Sequence, residues 1–138
     1  MNEIAFTVPG VPVGKGRPRV TTHGTYTPQK TKDYEEKVRL CWKTQSRVEF
    51  AAGIPLMAEI TAYFPIPKRV SQKRRSSMEG TYYLSRPDAD NIAKAILDAL
   101  NGLAYPDDSA VQLGSVKKIY TNGAPRVDVH IQEAGHDR

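Results

Sequence analysis

An amphipathic pattern between Asp90 and Asn101 restricts the fold of this chain more than any other feature of the sequence. A helix turns by about 100° per residue, so these side chains fall on two opposite faces. The polar face carries Asp90, Lys94, Asp98 and Asn101, with Asn91 at its border. The apolar face carries Ile92, Ala93, Ile96, Leu97, Leu100 and Leu103. Because an apolar face must be covered, we expect this helix to pack against a sheet.

Alternating apolar residues predict the strands of that sheet. Strands are expected at residues 3–8, 55–64 and 111–120. A fourth strand is expected around Val127, Val129 and Ile131. The Asn122-Gly123 dipeptide before it favours a tight hairpin turn between the last two strands.

A second helix is expected over residues 33–50, with Thr31 as its N-terminal cap. The order of elements is then β-α-β-α-β-β. This order predicts an α+β (mixed α/β) fold, with one small domain over residues 1–138 and a mixed sheet packed with two helices. The stretch PGVPVGKGRPR indicates a shaped loop without regular structure. Residues 66–85 are expected to form a mobile basic loop, and residues 134–138 a frayed tail.

The basic residues are concentrated in two blocks that contain no acid. The chain has 20 Lys and Arg residues against 15 Asp and Glu residues, which gives a formal charge of +5. The first block contains Lys15, Arg17, Arg19, Lys30 and Lys32, and the second contains Lys68, Arg69, Lys73, Arg74 and Arg75. Two unbalanced blocks indicate a polyanionic partner, most simply nucleic acid, although solvated loops have the same composition.

Cysteine content and hydropathy give an expectation for the compartment. Cys41 is the single cysteine, which excludes an internal disulfide and suits a reducing cytoplasm. No apolar run approaches the roughly 20 residues needed to cross a bilayer. The N-terminal MNEIAFTV lacks the basic-then-apolar plan of a signal peptide. We therefore expect a cytoplasmic protein with no membrane partner.

Acidic residues cluster around the amphipathic helix, at Asp88, Asp90, Asp107 and Asp108. An ordinary helix explains part of this cluster, with Asp90 as the cap, an Asp90–Lys94 pair one turn apart, and Gly102 at the end. It does not explain Asp88 or the Asp107-Asp108 pair. Side chains two residues apart in an extended segment point to the same side, so Asp88 and Asp90 can converge.

A cation is the simplest reason for such a cluster. If the strand after Asp108 lies beside Asp88, three or four carboxylates meet, which is costly unless a cation neutralises them. Only oxygen ligands are offered, so the expected ion is Mg²⁺, with Mn²⁺ as a substitute. A hard metal flanked by basic loops suits phosphodiester cleavage, in which Lys94 would orient the water or neutralise developing charge.

Two other classes of function remain open at this point. One is a DNA-binding protein that recognises branched DNA without cutting it. The other is a metal-dependent phosphotransferase that acts on a small molecule. The second alternative would use the aspartates but would leave both basic blocks unused.

Four stretches of the chain together carry a resemblance to a known family. DADNIAKAILDALNG, AYPDDSAVQ, GKGRPRVTTHGTYTP and TKDYEEKV resemble the RusA family of Holliday-junction resolvases, small endodeoxyribonucleases common in prophages. The resemblance spans residues 8–129 and is densest over residues 88–108. It implies a homodimer that binds branched DNA at four-way junctions and makes paired symmetric nicks. It also implies Mg²⁺ and no small-molecule cofactor.

The resemblance further implies roles for individual residues. Asp88, Asp90 and Asp108 match the Mg²⁺-binding carboxylates of the family, and Asp107 is the neighbouring acid. Lys94 matches a lysine needed for catalysis, and we expect Asn91 to hold the geometry of the site. Lys118 matches a basic residue on the next strand. The predicted DNA-binding residues are Lys15, Arg17, Arg19, Lys68, Arg69, Lys73, Arg74, Arg75 and Lys118.

Overall fold

The computed structural model describes residues 2–135 and contains a four-stranded sheet, a two-stranded hairpin and three α-helices. The strands are β1 Glu3–Pro9, β2 Arg19–Thr21, β3 Gly24–Tyr26, β4 Leu56–Pro65, β5 Val111–Thr121 and β6 Arg126–Glu133. The helices are α1 Gln29–Gln45, α2 Gln72–Met78 and α3 Ala89–Leu100, and a 3-10 turn covers Asp108–Ala110. The predicted α+β class and mixed sheet are therefore confirmed.

One face of the four-stranded sheet forms the core with α1 and α3. The strand order is β1-β6-β4-β5, and only the β4–β5 pair is parallel. Alternate residues of β1, β6 and β4 are buried, as in Ile4, Phe6 and Val8 of β1. The apolar side of α3 is buried against the same core, including Ile92, Ile96 and Leu100. The amphipathic pattern predicted α3 to within one residue at each end because that packing follows the helical period.

The predicted hairpin between the last two strands is wrong. β4 lies between β5 and β6 in the sheet, and the residues around Asn122-Gly123 connect strands that are not neighbours. The segment with α2 and α3 carries the chain from β4 to β5, which allows their parallel pairing. β6 then fills the position between β1 and β4. A dipeptide that favours a turn therefore did not determine which strands pair.

The ends of α1 also differ from the prediction. The helix begins at Gln29 after Pro28, so Thr31 lies inside it and is not its cap. The buried Thr31 hydroxyl instead accepts a hydrogen bond from the backbone N–H of Gly16 at 3.0 Å. At the other end the helix stops at Gln45, and Arg47 takes a positive φ of 62°. In α3, the cap position is likewise occupied by Asp88 and not by Asp90.

The basic segment 66–85 contains regular structure where only a loop was expected. Ser71 caps α2 by accepting a hydrogen bond from the N–H of Arg74 at 3.3 Å. Further on, the backbone runs along the edge of β5, where Tyr83 N–H donates to Lys118 O at 2.8 Å. The mobility of this segment remains a prediction. Of the predicted frayed tail, residues 136–138 lie outside the described residues.

Within residues 2–135, no helix combines the length and the apolar character that a membrane span requires.

Candidate active site

The loop between β1 and β2 is clamped between the beginnings of α1 and α3. A Cβ atom added at Gly14 would lie 2.6 Å from the Cβ of Pro87, and one added at Gly16 would lie 2.7 Å from Thr31 Oγ1. Both distances are too short for a real side chain. The two glycines that flank Lys15 are therefore required by the close approach of the loop to both helices.

The Lys15 side chain turns inward from this loop. Its Nζ lies 2.7 Å from Oε2 of Glu35 on α1 and 3.1 Å from Oδ2 of Asp98 on α3. Burial alone would lower the pKa of Lys15, but the hydrogen bonds and charges of Glu35 and Asp98 outweigh it, and this pKa is raised. The Lys15 ammonium is thus held by two carboxylates of the chain, and its predicted phosphate contact remains a prediction.

Asn91, the residue expected to hold the site geometry, lies in the first turn of α3 and is half-buried. Its backbone carbonyl accepts a hydrogen bond from the N–H of Lys15 at 2.9 Å. Asn91 thus joins α3 to the clamped loop through its backbone. The role of its side chain remains a prediction.

Two carboxyl groups meet at the C-terminal end of α3. Asp108 of the 3-10 turn lies close enough to Asp98 for that carboxyl group to raise its pKa. Burial raises the pKa of Asp108, and the charges of Asp107 and Asp98 raise it further. Burial also raises the pKa of the Tyr105 hydroxyl, and the negative charges of Asp108 and Asp98 raise it further. Carboxyl groups this close need a shared proton or a cation between them.

The turn after α3 holds Asp108 in this position. The Asn101 side chain, at the end of the helix, accepts a hydrogen bond from the N–H of Asp108 through Oδ1 at 2.8 Å. The buried Tyr105 donates its hydroxyl to the carbonyl of Leu97 at 2.7 Å. The polar residues of the turn are therefore satisfied by α3 itself, which keeps Asp108 beside Asp98.

Asp88 and Asp90 occupy the opposite end of α3. Asp88 is the N-cap residue and Asp90 lies in the first turn, and both are exposed. Lys118 of β5 donates from Nζ to the carbonyls of Ser85 at 2.8 Å and Pro87 at 3.1 Å. These bonds fix the segment that leads into α3. Negative charge is favourable at this end because it is the positive end of the helix dipole.

The expected meeting of three or four carboxylates is not found within one chain among the described residues. At about 1.5 Å per residue, Asp98 lies about 15 Å further along the axis of α3 than Asp88. Asp108 contacts Asp98, a residue that the helical pattern placed on the polar face without a role in the site. Asp98 and Asn101 lie one turn apart. A turn that brings Asp108 to Asn101 therefore also brings it to Asp98.

A cleft of about 980 Å³ opens beside the N-terminal end of α3. Its charged lining consists of Lys15, Arg17, Arg19, Lys30, Arg86 and Asp88. Arg17 and Arg19 are exposed and form no ion pair within residues 2–135. The cleft therefore offers free guanidinium groups next to an exposed carboxylate, an arrangement that attracts a phosphate backbone.

The second basic block divides into free and occupied cations. Lys68, Arg69, Lys73 and Arg74 are exposed. Arg75 is half-buried and donates to the carbonyl of Pro67 at 2.9 Å and to Asn122 Oδ1 at 3.2 Å. Arg75 and Lys118 both hold parts of the fold together through backbone or amide oxygens, and their predicted DNA contacts remain predictions.

The carboxylates fit a hard divalent cation by their chemistry. They offer only oxygen ligands, and the contact between Asp98 and Asp108 brings two of them together. Mg²⁺ is commonly held by one or two carboxylates, with waters and substrate phosphates as its other ligands. One or two carboxylates of the chain are thus enough protein ligands for this ion. The assignment of Asp88, Asp90, Asp107 and Asp108 as ligands remains a prediction.

Comparison with known proteins places the chain in a family. The family Endodeoxyribonuclease RusA matches residues 9–132. The uncharacterized protein YqaN of Bacillus subtilis (strain 168) is 38% identical over 141 residues, covering 96% of this chain and 98% of YqaN. The matched region runs from the end of β1 into β6, so it includes the clamped loop, the cleft and both ends of α3. The chain therefore belongs to the RusA family of endodeoxyribonucleases.

Proposed function

We propose that this protein is an Mg²⁺-dependent, structure-selective endonuclease that resolves four-way DNA junctions by paired symmetric nicks. Membership of the RusA family supports a DNA nuclease of the kind that resolves Holliday junctions. The structural observation that carries the proposal is the cleft in which exposed cations stand beside Asp88. A DNA strand that follows these cations would present its phosphodiester to the carboxylates at the start of α3.

Arg17 and Arg19 are the residues proposed to bind the phosphates of the DNA strand. A guanidinium group binds phosphate oxygens in a bidentate geometry and attracts any DNA sequence equally. The exposed Lys68, Arg69, Lys73 and Arg74 extend the same kind of charge over the second basic block. Recognition would then depend on the course of the DNA backbone at a branch, not on the base sequence.

The proposed metal ligands are Asp88, Asp90 and Asp108, with Asp107 beside Asp108. Nucleases of the RusA family generally depend on a divalent metal. When bound, Mg²⁺, or Mn²⁺ in its place, lowers the pKa of a coordinated water and stabilises charge on the phosphoryl oxygens. The carboxylates of the chain orient that water towards the phosphorus atom.

Lys94 is the proposed electrostatic catalyst. It lies one turn after Asp90 on the exposed face of α3 and forms no ion pair within the part of the chain that the structure describes. Its ammonium is therefore available to a phosphate that enters from solvent. There it would neutralise charge that develops on the non-bridging or leaving oxygen.

A homodimer is proposed because two equivalent nicks require two equivalent sites. A two-fold axis that relates two subunits matches the symmetry of a four-way junction whose opposing strands are cut. Because Asp108 adjoins Asp98, about 15 Å along α3 from Asp88 within one subunit, the proposed ligands would come together only where Asp88 and Asp90 of one subunit meet Asp108 of its partner.

The test is cleavage of a labelled synthetic four-way junction with and without Mg²⁺, with a linear duplex of the same sequence as the control substrate. The proposal predicts paired nicks in the junction only when the metal is present, and no nicks in the duplex. A stable shift of the junction without cleavage at any divalent metal concentration would contradict it. That result would favour a branched-DNA-binding protein that does not cut.

A further inference from the structure

We propose that Lys15 is a positioning residue of the active site and not a DNA contact: its ammonium fixes the carboxyl group of Asp98 and, through it, that of Asp108. The inference rests on the proposed nuclease function and names a residue that this function needs. It also separates Lys15, whose ammonium faces carboxylates of the chain, from the other cations of the first basic block, which are exposed to solvent.

The contacts of the ammonium are the first argument. An ammonium has three donors, and two of them are used by carboxylates from two different helices, Glu35 of α1 and Asp98 of α3. Only 18% of the Lys15 side chain and 14% of the Glu35 side chain are exposed. Ion pairs that are this well covered are screened less than surface pairs, so they hold their geometry.

The backbone on either side of Lys15 is the second argument. Gly14 touches Pro87, Gly16 touches Thr31, and the N–H of Lys15 donates to Asn91. The Cα of Lys15 is thus fixed against both helices before its side chain begins. A long flexible side chain usually loses entropy when it is held in one place. Here the rigid backbone reduces the freedom that remains to be lost.

The position of Asp98 is the third argument. Asp98 is bound by the Lys15 ammonium, and Asp108 is held at the same end of α3 by the hydrogen bond from its N–H to Asn101. Without Lys15, the two carboxylates would face each other with no cation beside them and would repel each other. With Lys15 present, the charge of Asp98 is compensated and Asp108 is kept at a defined place. Asp108 is a proposed metal ligand, so this placement affects the chemical step.

The neighbouring cations behave differently. Arg17 of the same loop and Arg19 at the start of β2 also line the cleft, but they are exposed and form no ion pair within residues 2–135. Their removal would weaken DNA binding, whereas removal of Lys15 would disturb the carboxylates. Two kinds of measurement can therefore separate the roles of residues that are adjacent in the sequence.

The experiment compares Lys15→Met, Lys15→Arg, Arg17→Met, Asp98→Asn and the double variant Lys15→Met/Asp98→Asn. Lys43→Met, which removes an exposed lysine of α1 with no ion pair in the described residues, is the matched control. Junction affinity is measured over a series of salt concentrations, and cleavage is measured in single turnovers at saturating junction. Thermal midpoints are recorded for every variant without added metal.

We expect Lys15→Met to slow single-turnover cleavage by about tenfold or more, because displaced reacting groups lose rate steeply. Its junction affinity should stay within about twofold of the starting protein, with the same dependence on salt. Lys15→Arg should recover part of the rate, since a guanidinium can still bridge both carboxylates. Arg17→Met should instead reduce the salt slope by about 1. A Lys15→Met variant with a reduced salt slope and an unchanged cleavage rate would overturn the proposal.

The thermal midpoints keep the proposal testable if the protein does not cut DNA at all. If Asp98→Asn reduces the effect of Lys15→Met on the midpoint to the part that comes from the lost Glu35 pair, and the salt slope of Lys15→Met is unchanged, Lys15 positions Asp98 and the nuclease function alone fails. If the two effects add, Lys15 does not act through Asp98 and the positioning role is refuted.

Discussion

The two ends of α3 carry aspartates in opposite electrostatic situations. At the N-terminal end, Asp88 and Asp90 are exposed, lie at the positive end of the helix dipole and border a cleft rich in cations. At the C-terminal end, Asp98 meets Asp108 where the dipole is negative and the last turn contains no basic residue. Negative charge is stable at the N-terminal end without a partner. The neighbouring carboxyl groups at the C-terminal end depend on a cation.

This difference separates two groups of carboxylates along one helix. At the N-terminal end, here called the open end, the carboxylates are free to face a phosphodiester, because the helix dipole already favours their charge. At the C-terminal end, here called the closed end, carboxylates that repel each other lie close together. Lys15 compensates the charge of one of them, Asp98. Repulsion that remains at Asp108 favours the arrival of a divalent cation.

The largest expected effect is at the open end. Asp90→Asn should lower the rate of junction cleavage by on the order of a hundredfold or more, because it removes a proposed ligand that acts in the transition state. Junction affinity should be preserved or improved, since the variant no longer has a negative charge that faces the phosphates. Single-turnover cleavage and gel-shift titrations measure the two quantities.

Asp33→Asn is the matched control for this change, because Asp33 is an exposed aspartate of α1. It should leave both the rate and the affinity unchanged. An Asp90→Asn protein that folds normally but binds the junction more weakly would break the proposed division between the two ends of α3.

The second largest effect concerns Lys15, the cation that compensates Asp98 at the closed end. Glu35→Gln removes the nearer carboxylate of Lys15, at 2.7 Å, and should lower the free energy of unfolding by about 2 kcal/mol, as expected for a hydrogen bond between charged groups. Urea denaturation measures this value. Glu36→Gln, an exposed change in the same helix, is the control and should have no measurable effect. Equal stabilities of the two variants would show that the Lys15–Glu35 pair contributes nothing.

A smaller effect is expected for Asp108→Asn, and its size depends on pH. The folded chain raises the pKa of Asp108 above the ordinary value of 3.8, so Asp108 favours folding below pH 3.8 and loses that contribution as the pH rises through the folded pKa. The asparagine variant has no such loss. Without divalent metal, its thermal midpoint should therefore exceed that of the starting protein by a margin that grows with pH over this interval and then stays constant.

Added Mg²⁺ sharpens the same comparison. It should raise the thermal midpoint of the starting protein, because a ligand that binds the folded state stabilises it. It should have little effect on Asp108→Asn. An equal response of both proteins to Mg²⁺ would mean that Asp108 is not a ligand.

The smallest expected effect is on the salt dependence of DNA binding. Arg17→Ala with Arg19→Ala should reduce the slope of log affinity against log salt by about 2, or about 1 for each phosphate that the protein no longer neutralises. Adding Lys15→Ala to this pair should reduce the slope no further, because Lys15 faces the carboxylates. A further decrease of the slope in the triple variant would place Lys15 among the residues that bind DNA.

Local patterns predicted the elements that pack by a simple period. The α3 helix was predicted almost completely, because its apolar side chains recur at helical spacing and nothing else in the fold competes with that packing. The strands of the four-stranded sheet were predicted from the alternation of their buried residues, whereas β2 and β3 were not predicted. The pairing of β5 and β6 was predicted wrongly, because the partner of a strand is decided by the whole sheet and not by the dipeptide that precedes it.

Prediction from the sequence was also limited because it does not show which side chains from distant parts of the chain become partners. Lys15, Arg75 and Lys118 looked like free cations in the sequence, and each is held by oxygens that only the fold brings near. Arg17 and Arg19 remain exposed as predicted. The role of Asp98 was visible only once the turn after α3 was seen to fold back on the helix.

The most informative measurement is the position of a metal ion in crystals of the protein grown with a four-way junction and Mn²⁺. The anomalous scattering of Mn²⁺ identifies the ion without ambiguity. The account predicts a peak about 2.1 Å from a carboxylate oxygen of Asp108 and within reach of a DNA phosphate. A well-ordered ion with no Asp108 ligand in either subunit, under conditions where the junction is cut, would contradict it.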